Sequence, residues 1–135
     1  MTLYAKAGSA LLAVQTGDQS AAEEHYAYLL GQRGTMIPPV ISVDRLLGLL
    51  SQAMGNLDQS TGHFEGALAF YRKAGYRSEL AWTCCDYADT LRERNGDGDQ
   101  AMAMTLLDES LAISSELGMR PLMERVLSRR EILRA

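Results

Sequence analysis

His25 and His63 are the only histidines of this chain and Cys84-Cys85 its only cysteines, so a nucleophile with a base would have to be assembled from these and acids such as Asp86 and Asp89. The two histidines stand 38 residues apart, each directly before an aromatic residue, Tyr26 or Phe64. That equivalence reads as a repeated, outward-facing position rather than as a ligand. Neighbours on a helix point to different sides, so Cys84 and Cys85 build neither a disulfide framework nor a metal site. Two readings of them stay open: small apolar packing residues, or a reactive thiol beside Asp86 and Asp89.

The stretch "NGDGDQ" from Asn95 to Gln100 has the alternating oxygens of a calcium loop, but the closing Glu such a loop needs at its twelfth place falls on Leu106. A turn between helices, with Asp99 capping the following one, suits it better. The chain has no GxxxxGK[ST] phosphate cradle, no HExxH, no GxSxG and no paired CxxC. The expectation is therefore a protein that is not an enzyme, with no catalytic residues, no cofactor and no metal.

The elements that would position a site are helices. Only three prolines interrupt 135 residues, and Ala, Leu, Met, Glu, Gln and Arg dominate between the breaks. Breaks fall at Gly17-Asp18, Gly31 to Pro39, Gly55-Asn56, Gly75, Asn95 to Asp99 and Gly118. Apolar spacing of three and four between them predicts about seven helices, at 2–16, 19–33, 42–54, 58–74, 77–94, 99–117 and 120–134. Short connections make successive helices antiparallel hairpins, at about 2–33, 42–74 and 77–117, followed by a C-terminal helix over 120–134. The length suits one all-α domain spanning 1–135.

Hydrophobic residues make up 47% of the chain and charged residues 22%, as in folded globular proteins, so disorder is not expected. The net charge of −4 lacks the basic footprint of a nucleic-acid binder. No secretory leader and no apolar run long enough for a membrane is evident, and together with the cysteine usage this suggests a cytoplasmic protein without direct nucleic-acid or membrane contact.

Aligning the hairpins on their turns exposes a repeat. Setting Gly17 on Gly55 places Ala22 on Ser60, Tyr26 on Phe64 and Leu29-Leu30 on Ala67-Leu68. Ala103, Leu107 and Ser110-Leu111 take the same places in the third hairpin, 43 residues after the second when counted from Phe64 to Leu107. A fixed period in this range signals stacked helix pairs. Small residues let the second helix lie close against the first, and the bulky residue between them fills the gap.

With "LG" at Leu47-Gly48, the turn Gly55, then Phe64 and Ala67, the middle hairpin resembles the tetratricopeptide repeat family. Ser51 and Ser60 depart from the Tyr and Ala usual there, no Trp opens the repeat, and the period exceeds the family's usual 34 residues. "FYRKAGYR", "ELAWTCCDYADTL" and "AMTLLDESLAISSELGMRPLMERV" are similar to the irregular C-terminal repeats of large bacterial signalling ATPases, those with a LuxR-type DNA-binding or an adenylate cyclase domain.

The resemblance implies hairpins stacked as a short right-handed α-solenoid, and a regulatory protein-interaction role within a larger signalling ATPase or transcription regulator. It also implies a concave wall made by first helices, binding a protein or peptide. The residues at matching positions are Tyr4, Leu11 and Gln15 in the first hairpin, Arg45, Leu49 and Gln52 in the second, and Trp82, Asp89 and Arg92 in the third. Trp82, the chain's single tryptophan, reads either as an interface anchor or as a core residue between hairpins. Alternatives for the whole chain are a sensor closing the groove over a small ligand or peptide, and a homodimer formed through the apolar first helix, with Leu3, Leu11, Leu12 and Val14. Arg120, Arg125, Arg129, Arg130 and Arg134 make the last helix basic. That stripe reads as a solvated face, a face docked on acidic surface, a phosphate-contacting arm or a joint to a downstream domain.

Overall fold

A computed structural model describes the backbone of residues 3–33, 36–37 and 41–135 and the side chains of 7–33 and 42–135. Pro38 and Pro39, part of one expected break, lie outside the described residues, as does the Tyr4 side chain. The fold is all-α. Among the described residues seven helices follow in order: α1 Leu3–Thr16, α2 Gln19–Leu30, α3 Val43–Ala53, α4 Leu57–Ala74, α5 Arg77–Arg94, α6 Asp99–Leu117 and α7 Arg120–Arg134. Between α2 and α3 lies a minimal antiparallel pairing of β1 (Met36–Ile37) with β2 (Ile41–Ser42), which helical spacing did not anticipate.

The helices begin and end for local reasons. Asp18 accepts the Ala21 N–H at 3.0 Å and Ser42 Oγ the Arg45 N–H at 3.1 Å, so α2 and α3 start on side-chain caps. At the close of α1, α3, α4 and α6 one turn recurs. Asp18, Asn56, Tyr76 and Met119 each donate their N–H to the carbonyl five residues back, on Ala13, Ser51, Tyr71 and Ser114, at 2.8–3.1 Å. This bond requires a left-handed residue just before the donor, and Gly55, at φ +79°, supplies it between α3 and α4.

The helices group into two compact units, Met1–Phe70 and Tyr71–Ala135, divided within α4. In the first unit, α1 packs on α2 and α3, and α2 on α3. Ala7, Ala10 and Ala13 form the buried face of α1 and meet Ala22, Leu29, Val43, Leu46, Leu47 and Leu50. Three alanines on one face let the helix axes approach closely.

The small-large-small register operates between α3 and α4. The ring of Phe64, fully buried, lies where a side chain on Gly48 would stand: a Cβ there would meet its Cε1, Cδ1 and Cζ at 2.8–2.9 Å. Ser60 Oγ donates to the Gly48 carbonyl at 2.7 Å beside it. The second unit repeats this device, with Ser110 Oγ donating to the Ala81 carbonyl at 2.7 Å between α6 and α5. Its core joins Ala81, Cys84, Cys85, Ala88 and Leu91 of α5 to Ala103 and Leu107 of α6 and to Leu122 and Val126 of α7.

The histidines face inward, against the expectation of an outward position. His25 and His63 are each only 9% exposed. The buried arc of α4 runs over Ser60, Thr61, His63, Phe64, Ala67 and Leu68, wider than one packing partner requires, and His63 falls within it. His63 Nε2 and the Tyr26 hydroxyl share a hydrogen bond of 2.7 Å, with the rings edge to face at 5.5 Å, tying α4 to α2.

Burial pulls the His63 pKa below its ordinary value, Asp44 opposes this, and Arg33 adds to it. A histidine whose folded pKa is depressed takes up its proton less readily folded than unfolded. Its contribution to stability is thus complete above about pH 6.5 and is lost as pH falls below that value. The thermal midpoint is expected to drop between pH 7.5 and 5.5, and His63→Gln to flatten that drop. An imidazole proton titration by NMR that placed His63 above the ordinary histidine value of about 6.5 would contradict the assignment.

Candidate protein-interaction surface

The residues expected to face a concave wall sit on the first helices of their pairs, in both units. In the first unit Leu11 is half-buried against the alanine face and Gln15 is exposed; Arg45, Leu49 and Gln52 lie half-buried along α3. α1 packs beside α3, so two first helices form one wall of this unit.

In the second unit the corresponding neighbours are α5 and α7. Trp82 is half-buried, and the Arg125 guanidinium of α7 stands over its ring, 5.2 Å from the centroid. Two turns along α5, Asp89 accepts a hydrogen bond from Arg129 Nε at 2.8 Å, and Arg92 reaches the same carboxylate at 4.0 Å. The Asp89 hydrogen bond raises the Arg129 pKa above its already high value. Asp86 is buried on the same helix.

Of the nine expected residues, the structure thus joins Asp89 with Arg92 and supplies Trp82 and Asp89 with partners from α7. The sequence alone does not mark those partners, Arg125 and Arg129, as site residues. Arg125 and Arg129 are one helical turn apart, so they share a face of α7, but Trp82 and Asp89 lie two turns apart on α5, and no spacing within α7 alone marks the pairing. The basic stripe of α7 is, for these two arginines, a face docked on an acidic and aromatic one.

The remaining chemistry-bearing residues are committed to packing. Burial, then the nearby Glu109 carboxylate, pushes the Cys84 thiol far up, and the thiol lies 3.6 Å from Glu109 Oε2. Cys85 is pushed up to about 12 by burial and then by Asp86 and Asp89. Neither forms a thiolate near neutrality.

At the α5–α6 turn, Asp99 opens α6 but does not cap its next N–H groups as anticipated. Its carboxylate takes Arg94 Nε and Nη2 at 2.8 and 2.7 Å and the Gly96 N–H at 2.9 Å, and the Arg94 bonds lead in holding its pKa down to about 2. Asn95, at φ +50°, and Gly98, at φ +80°, make the reversal. No group of three or more His, Cys, Asp or Glu side chains gathers for a metal among the described residues. No helix among them is long and apolar enough to cross a membrane.

A hollow of about 300 Å³ lies elsewhere in the second unit, with Tyr71, Leu80, Ala112 and Ile113 along it. Of the charged residues along it, Arg72 pairs with Glu109 at 2.9 Å, and Arg77 reaches outward to Glu116 at 2.6 Å.

Searches of protein-family models, curated proteins and solved structures found no match to this chain.

Proposed function

We propose that this chain is a non-catalytic, tetratricopeptide-like interaction module, its hairpins stacked as a short right-handed α-solenoid that presents first helices to a protein or peptide. The observation that carries the reading is the Gly48-Phe64 contact, with Ser60 beside it: small, large and small residues interlock as the repeat register requires. The pairing of α1 with α3 and of α5 with α7 supports it, because first helices then lie side by side. The similarity of "ELAWTCCDYADTL" and "AMTLLDESLAISSELGMRPLMERV" to bacterial regulator repeats favours a cytoplasmic place within a larger signalling ATPase or transcription regulator.

Selection of a random displayed-peptide library on the immobilised chain tests the reading. Recovery of a shared peptide class, whose binding is lost in Leu49→Glu or Trp82→Ala with helicity retained, upholds it. No enrichment over a blank surface, or turnover of a substrate, overturns it.

Self-association is a second reading with its own support, because Leu12 on α1 is 60% exposed. Leu11, by contrast, packs partly against the core, so a charge there would test folding rather than assembly. Leu12→Glu is expected to convert a dimer to a monomer in sedimentation velocity. A wild-type chain that already sediments as a monomer removes this reading.

A further inference from the structure

Resting on the peptide-binding reading, we propose that the α5–α7 wall takes an acidic, extended peptide segment, one carboxylate seated on Arg125 above Trp82 and a second on Arg92. Arg125 is exposed, and its guanidinium stands over the Trp82 ring: no described carboxylate pairs with it and no described acceptor takes its N–H groups. A guanidinium attracted to an indole face spends none of its N–H groups on that contact, so its donors stay open for a carboxylate.

The second anchor follows from how Asp89 is shared. Asp89 is taken by Arg129 at 2.8 Å, which pins α7 to α5 and neutralises both groups. Arg92, at 4.0 Å and with its side chain 42% exposed, gets only the remainder of that carboxylate. The wall therefore keeps two under-satisfied cations, Arg92 and Arg125, flanking a neutral rung.

Spacing sets the register of the ligand. Trp82 and Arg92 are ten residues apart on α5, about 15 Å along the axis. An extended chain covers this in roughly four to five residues. Two separated carboxylates suit this wall better than a dense polyanion, which the net −4 of the whole chain would repel.

The displayed-peptide selection carries the test further. Recovered peptides are expected to share two Asp or Glu positions about four residues apart. The synthetic consensus peptide should change the emission of the single tryptophan. Its affinity should fall about tenfold in Arg125→Gln and in Arg92→Gln, and should weaken between about 50 and 300 mM salt. Arg120→Gln, an exposed change near the start of α7, should leave it unaltered. A neutral or basic consensus, indifference to Arg125→Gln, or equal displacement by heparin overturns the acidic-segment proposal and leaves the interaction module standing. Failure to enrich any peptide overturns both.

Discussion

Replacing Phe64 by Ala is expected to lower the unfolding free energy by about 3–5 kcal/mol. The ring is fully buried, and it fills the space that Gly48 leaves on the facing helix, so its removal opens a cavity between two backbones. Backbones relax less readily than side chains. Ser60 holds them in place from beside the ring through its 2.7 Å bond to the Gly48 carbonyl, so the cost belongs at the upper end. Total stabilities of about 5–15 kcal/mol are usual for domains, and this single change would consume a large share of it. Urea unfolding followed by helicity checks the value: Phe64→Leu should fall between wild type and Phe64→Ala. A loss below about 1 kcal/mol would mean that the Phe64-Gly48 contact is not a principal packing site.

Gly48→Val is expected to cost about 3 kcal/mol from the opposite side of the same contact. Glycine inside a helix is ordinarily a weak point, and replacing it usually gains up to about 1 kcal/mol. Here the sign reverses. A Cβ would stand 2.8–2.9 Å from three ring carbons of Phe64, so the ring must leave its place or the helices must part. Even Gly48→Ala should destabilise. Pairing Gly48→Ala with Phe64→Leu should cost less than the sum of the two single changes, because the smaller side chain vacates the clash. Strict additivity, or a stabilising Gly48→Ala, would contradict the described contact.

These two positions were legible in the sequence because helical spacing and a repeated turn define them together. "LG" before Gly55, with Phe64 following, already puts a glycine opposite a ring once the hairpin closes. The helix limits were legible for similarly local reasons: a glycine in the left-handed region and a cap such as Asp18 or Ser42 act within a few residues. What escaped depends on partners distant in sequence. The repeat register alone makes the residue beside the plug, His63, an outward one, whereas Tyr26, from another pair, bonds to it and helps bury it. Leu11 and Leu12 differ by one residue, about 100° of rotation on a helix, and only packing decides which of them is covered. The α7 arginines complete the α5 wall through neighbours roughly 40 residues away, a contact that charge patterning within one helix does not reveal.

The serine hydroxyls have a mechanical consequence. Apolar contact between helices is nearly indifferent to a small slide of one along the other, but Ser60 on the Gly48 carbonyl and Ser110 on the Ala81 carbonyl are directional bonds of 2.7 Å with a narrow tolerance. Each acts as a detent that fixes the axial position of its pair. A pulling force should therefore yield first at the glycine turns, peeling α3 from α4 or α5 from α6 as hinged levers, while shear within a pair meets a latch.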